Sequence, residues 1–281
     1  MYKLRHKGKV LDNIIFLFMI VLSIFYLAPI AIVFMNSFKI KLHISNAPFK
    51  LPNSMTFSEL SNYTEGIRAT SFWSAAKYSL FITISSVLVI VLLTSMTAWY
   101  ITRVKNKFNQ VLYYVFAFSM IVPFQMVMFT MTQFANMLHL NNPVGIVVIY
   151  LGLGAGLCVF MFCGFVKSIP IELEEASMID GCNPIQTFFR IIVPVLKPIT
   201  VTVAILETMW IWNDYLLPYL VVGTEYRTIP IAIQYLRGGH GSIDMGAMMA
   251  MLVLAIIPIV VFYIFCQRYI IEGAIAGAVK G

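Results

Sequence analysis

Twelve acidic residues are distributed very unevenly along the 281-residue chain. Four of them, Glu172, Glu174, Glu175 and Asp180, fall within nine positions of the stretch IPIELEEASMIDGCNPIQTFFRIIVP (169–194). Two more, Glu207 and Asp214, stand inside an otherwise apolar run. Carboxyl groups of this kind could serve acid–base chemistry, ligate a metal or hydrogen-bond a polar ligand. No His/Cys set with metal-ligand spacing, no nucleophile elbow and no H-E-x-x-H accompany them, so catalysis and a metal site are not expected in this chain. A phosphate loop G-x-x-x-x-G-K-[ST] is also missing. The glycine cluster GLGAG (152–156) has no following Lys and reads as close helix packing through Gly152 and Gly156.

The lone carboxyls Glu207 and Asp214 lie seven apart, about two helical turns, so a continuous helix puts them on one face. Trp210, Trp212, Asn213 and Tyr215 stand around them. Amide, carboxyl and aromatic groups together suit a hydroxyl-rich solute such as a sugar. Glu207, Trp212, Asn213, Asp214 and Tyr215 are therefore candidate lining of a translocation pathway. The other reading is structural, with both carboxyl groups bonded to neighbouring helices.

The acid cluster reads as a helical hairpin. Pro170 suits a helix start, and the acids that follow favour the positive end of the helix dipole. Leu173, Ala176, Ser177 and Asp180 are spaced i, i+3, i+4, i+7 and share a face. Gly181 suits a left-handed stop. Asn183-Pro184 reads as the cap and first position of a second short helix through Arg190, presenting Ile185, Phe188 and Phe189. Pro194 and Pro198 mark its handover to the next apolar segment. A hairpin that is merely solvated explains the acids. A docking surface explains the acid, small and aromatic residues together.

The elements that must hold these residues are membrane helices. Charged residues make up 11 % of the chain and hydrophobic residues 60 %; soluble domains carry about 25 % charge. Six spans are expected, near 13–37, 75–101, 109–134, 143–166, 192–222 and 245–267. The third and fourth come from a 59-residue run without Asp, Glu, Lys or Arg (108–166), divided at NMLHLNNP (136–143). Pro123 is expected to kink the third. The N-terminal apolar run is too long for a signal peptide and reads as an uncleaved first span.

Lys3, Arg5, Lys7 and Lys9 precede span 1, and Arg103, Lys105 and Lys107 fill the loop after span 2. The positive-inside rule then places both termini and the 168–191 loop in the cytoplasm. The net charge of +7 is thus topological and gives no reason to invoke nucleic acid. The cysteines, Cys158, Cys163, Cys182 and Cys266, fall in expected spans or on the inner side, so no disulfide is expected.

The segment EEASMIDGCNPIQTFFRIIVPVLKP resembles the cytoplasmic EAA loop of ABC-importer permeases, with Glu175, Ala176, Ser177, Gly181, Ile191 and Pro194 on the pattern. Ser177 stands where Ala is usual and Cys182 where a small residue is usual. GFVKSIPIELEEA, WNDYLLPYLVV (212–222), MIVPFQMVM (120–128) and the C-terminal QRYIIEGAIAGAVKG are similar to the carbohydrate branch, in particular its maltose-transporter-like second permease. The resemblance covers about 72–281 of a single permease domain, 1–281.

It implies an all-α polytopic bundle in a bacterial or archaeal plasma membrane. The implied partners are a second homologous permease, an ATPase dimer that holds ATP and Mg, an extracellular or periplasmic solute-binding protein, and membrane lipid. It implies that the loop is a coupling helix on the ATPase, with Leu173, Glu174, Glu175, Ala176, Ser177, Asp180, Gly181 and Phe188 as coupling residues. It further suggests that the C-terminal tail reaches the ATPase. A permease for another solute such as glycerol phosphate, an ion-coupled secondary transporter and an intramembrane enzyme are the competing classes. The last two leave the loop unexplained or lack a catalytic set.

Overall fold

A computed structural model describes residues 5–236 and 244–278, without side chains for 5–10 and 269–278. Among these residues the regular secondary structure is helical, apart from an isolated bridge between Lys39 and Phe57. Five helices are long and apolar enough to cross a membrane, and a bent pair makes a sixth crossing if counted as one.

The chain divides into two compact units, one joining Met1–Phe72 with Tyr235–Ile257 and the other joining Trp73–Gln234 with Pro258–Gly281. The first holds α1 (Arg5–Asn36), the short α2 (Lys41–Asn46) and α3 (Ser61–Thr70). Between Leu11 and Asn36, α1 exposes large apolar side chains on every side, Phe16 and Phe25 among them. A helix apolar all round needs lipid or protein on all sides. Asn62 of α3 is buried and donates to the Ser37 and Lys39 carbonyls, both at 2.8 Å, which pins the connection after α1. Lys39 itself is buried and donates to the Ala47 carbonyl at 3.1 Å.

The second unit carries α4 (Phe72–Arg103), α5 (Lys107–Ser119), α6 (Phe124–Met137), α7 (Gly145–Val166), α8 (Glu172–Ile179), α9 (Pro184–Thr187), α10 (Val193–Asn213), α11 (Leu216–Val221) and α12 (Ile229–Gln234). The last long helix, α13 (Met245–Ala278), runs through both units. Ile82, Ile90, Tyr150, Phe162, Phe188, Leu196 and Leu217 form the core of the second unit.

Two expectations need correction. The third span is not a kinked rod: α5 and α6 meet at 108°. Pro123 caps α6; it has no N–H to continue α5 and its ring disfavours the α conformation at Val122. Each half, 13 and 14 residues, is about 20 Å long and too short alone for a core of about 30 Å. The fifth span begins earlier and stops sooner than 192–222. It runs from Pro184 through the wide π turn Phe188–Ile192 to Asn213, so the second hairpin helix and the span are one continuous element. The wide turn, in which the Val193 N–H reaches the Phe188 carbonyl, precedes Pro194, whose ring would crowd the carbonyl four residues back in tight α winding.

Candidate functional site

The acid cluster folds as a hairpin built from local rules. Three acids occupy the first turn of α8. At its end Gly181 adopts φ +85°, and the Cys182 N–H reaches back to the Ser177 carbonyl at 2.9 Å, closing the helix. Asn183 and Gln186 then exchange side chain–backbone hydrogen bonds of 2.9 Å, a capping box that starts α9 behind Pro184.

The hairpin has two unlike faces. Inward, Glu174, Ser177, Thr187 and Phe188 are all buried. Both carboxylate oxygens of Glu174 are taken by α4: Arg103 Nε donates at 2.7 Å and Trp99 Nε1 at 3.0 Å. A second guanidinium nitrogen of Arg103 donates to the Ile169 carbonyl at 2.9 Å. Ser177 and Thr187 share a hydroxyl hydrogen bond of 2.9 Å, and the Phe188 ring lies 5.5 Å from that of Trp99. Outward, Glu172, Leu173, Glu175, Ala176, Met178, Ile179, Asp180, Gly181 and Ile185 are exposed, Ile179 at 86 %.

The expected shared face is therefore split. Leu173, Ala176 and Asp180 remain open, whereas Ser177, and with it Glu174 and Phe188, is enclosed within the chain. Sequence reasoning missed Trp99, Arg103 and Thr187. The signal available was that Trp99 and Arg103 lie four apart on one helical face beside an acid-rich loop.

The carboxyl pair is likewise separated. Glu207 sits on α10, 3 % exposed, with the Cys158 thiol of α7 donating to Oε1 at 3.1 Å. Its Oε2 meets no hydrogen-bond donor and lies against Gly154, where a Cβ would come within 3.0 Å. Glu207 and Gly154 line one wall of a cavity of about 700 Å³, otherwise formed by Ser119, Trp210 and apolar groups of α5, α6, α7 and α10.

Asp214 does not continue α10. The helix ends at Asn213, the Asp214 backbone is extended, and its Oδ1 accepts from the Leu216 and Leu217 N–H groups at 3.0 and 3.3 Å, starting α11. The two carboxyls thus share no helical face. The Tyr150 hydroxyl donates to Asp214 Oδ2 at 3.1 Å, while the Tyr150 ring meets Trp210 edge-on at 5.4 Å. Tyr150, unmarked in an apolar run, connects the Asp214 end to the cavity wall. Asn213 is exposed and donates to the Met209 carbonyl at 2.7 Å; Trp212 is buried; Tyr215 stacks on Tyr219 at 5.3 Å.

Of the glycine pair expected to pack, only Gly156 does so. A Cβ on Gly156 would fall on Ser119 and 2.8 Å from the Phe116 carbonyl oxygen, whereas Gly152 faces open space. In the segment 223–241, α12 is described but residues 237–241, His240 included, lie outside the described residues, as do 279–281 of the C-terminal tail.

Residues 90–274 match the family described as "Binding-protein-dependent transport system inner membrane component". The chain belongs to this family. Over 262 residues it is 40 % identical to the "Probable starch degradation products transport system permease protein AmyC" of Thermoanaerobacterium thermosulfurigenes, covering 93 % of this chain and 94 % of that one. It is 33 % identical over 263 residues to the "Multiple sugar-binding transport system permease protein MsmG" of Streptococcus mutans, covering 92 % and 93 %. In fold it is similar to a chain of a bacterial ABC transporter for import of the acidic polysaccharide alginate, with a TM-score of 0.74 at 18 % identity over 96 % of this chain and 100 % of that chain. This permease-family chain is a multi-pass membrane protein.

Proposed function

We propose that the chain is the membrane subunit of an ATP-driven, binding-protein-dependent importer of a sugar or oligosaccharide in a bacterial inner membrane, with both termini and the α8–α9 hairpin cytoplasmic. A separate ATPase dimer docks on the outer face of α8 and binds ATP and Mg; a second permease completes the path, and a solute-binding protein delivers from outside. The observation that carries the docking role is the outer face itself. Leu173, Met178, Ile179 and Ile185 stand exposed beside Glu172, Glu175 and Asp180 on a hairpin whose other side is engaged within the chain. Apolar side chains held outward on a hairpin rigid enough to transmit force suit a groove on a partner. The sugar class follows the relatives, and it suits the cavity where Glu207, Ser119 and Trp210 bring a carboxyl, a hydroxyl and an aromatic face to an otherwise apolar lining.

In this assignment the ATPase, closing around ATP, biases a bundle with two arrangements, inward- and outward-facing. Glu207 Oε2, which meets no donor within the chain, offers a hydrogen bond to a passing hydroxylated solute, and the break at Asp214, held by Tyr150, marks the outer end of that route.

The test is co-purification with an ABC-type ATPase from the same organism, followed by hydrolysis measurements in lipid vesicles. Leu173→Glu with Ile179→Glu places charge on the open face without touching the buried one. Loss of ATPase recovery at normal membrane levels is expected. Unchanged recovery together with solute-stimulated hydrolysis would sink the docking assignment.

A further inference from the structure

Resting on the importer reading, we infer that Trp99 and Arg103 of α4 are positioning residues that carry the displacement of α8 into α4. A helix of eight residues has little stability of its own, so a push on its outer face passes to whatever holds its inner face. That holder is the end of α4. One guanidinium grips the hairpin twice, at the Glu174 carboxylate inside α8 and at the Ile169 carbonyl before it. The indole N–H of Trp99 takes the remaining carboxylate oxygen, and the indole ring packs on Phe188 where the hairpin returns to α10.

Trp99 and Arg103 are four apart, so they form one surface of α4. Arg103 lies in the last turn of that helix, where a cation is favoured by the dipole. The ion pair is largely out of water, with 17 % and 5 % of the Arg103 and Glu174 side chains exposed. Charge-assisted bonds to a planar fork resist bending as well as separation. Through the backbone alone α8 communicates with α7 and α9, its neighbours in sequence; the Glu174 cluster adds α4, which lies some 70 positions earlier.

The test uses the complete transporter in lipid vesicles, with Arg103→Lys and Trp99→Phe. The first keeps the charge and loses the two-point grip; the second keeps a ring and loses the N–H. Expected are normal recovery of the ATPase, hydrolysis that continues, and labelled maltotriose taken up per ATP hydrolysed falling roughly tenfold for Arg103→Lys, in the range of coupling between sites. In a Glu174→Gln background Arg103→Lys should add little further loss, because the two act as one unit.

A second measurement needs no solute. With Cys182 and Cys266 replaced by Ser, spin labels at Ile179→Cys on α8 and Leu88→Cys on α4 should both respond to MgATP in the parent chain. With Arg103→Lys only the α8 label should respond. Equal uptake per ATP in Arg103→Lys, an undiminished α4 response, or uptake and hydrolysis falling together with the amount of complex would overturn the inference. A parent chain that recovers no ATPase and shows no ATP-dependent uptake instead removes the importer reading beneath it.

Discussion

Replacing Gly156 by Ala tests the packing of α7 on α5 at a single methyl group. The added Cβ would fall on the Ser119 hydroxyl and 2.8 Å from the Phe116 carbonyl oxygen, with Met120 Cγ at 3.1 Å. The Met120 side chain can yield. The carbonyl is backbone, so the two helices must separate by about half an ångström, at a cost of about 1–3 kcal/mol for overpacking. Ser119 can swing away only by giving up its 2.7 Å hydrogen bond to that carbonyl, worth about 1 kcal/mol. About 3 kcal/mol in total corresponds to a fall in Tm of roughly 5 °C. The assay is fluorescence-monitored heating of the purified protein in detergent micelles. Gly152→Ala, which meets nothing within 4 Å, should stay within about 0.5 kcal/mol of the parent. Gly154→Ala, opposed only by the movable Glu207 and Ile90 side chains, should fall between. Equal losses for Gly152→Ala and Gly156→Ala would refute the packing argument.

Gly181→Ala has open space around it but keeps a φ of +85°, so it should weaken the hairpin by about 1 kcal/mol and speed hydrogen exchange across 172–187 roughly fivefold. Asp214→Asn keeps an acceptor for Leu216 and Leu217 but turns an NH₂ group toward the buried Tyr150 hydroxyl and should cost about 1 kcal/mol, whereas Asp214→Ala loses the cap and the Tyr150 acceptor together and should cost about 2 kcal/mol; unaltered solute uptake by Asp214→Asn would remove that carboxyl from the path. Burial lowers the Lys39 pKa below its ordinary 10.5. The unfolded chain therefore holds the proton over a window just under 10.5 where the folded chain does not, and stability should rise with pH across that window. Lys39→Gln should abolish the rise, as read from Tm between pH 8 and 11.

The spans were largely legible because lipid demands long apolar helices, and runs such as 13–38 leave little else. Pro123 announced a break but not its angle, which depends on what α6 packs against once α5 has ended. Asn213-Asp214 could not announce that the helix stops there: carboxylates occur both inside and at the starts of helices, and the second oxygen of the Asp214 that caps α11 is held by Tyr150, 64 positions away. In the hairpin, spacing correctly grouped residues by side of α8 only on its open half. Ser177 follows helical spacing from Leu173, but its hydroxyl finds Thr187 and turns inward; Glu174 carries a charge usually solvated, yet Arg103 arrives from a distant helix to neutralise it. Long-range partners of this kind leave no local period to read. The same holds for Gly152 and Gly156, which look equivalent in sequence and meet different neighbours.

The wide turn at Phe188–Ile192 makes the joint between hairpin and span unusually forgiving of changes in chain length. An α-helix turns by about 100° per residue, so deleting one residue within Val193–Asn213 would rotate everything beyond it and carry Glu207 away from Cys158 or Asp214 away from Tyr150. The π turn already holds one residue more than α winding needs. Removing one there lets the backbone tighten while the hairpin stays on Arg103 and α10 keeps its face toward α7, with a bend at Pro194 as the remaining adjustment. Variation in length is thus tolerated at this joint and resisted on either side of it.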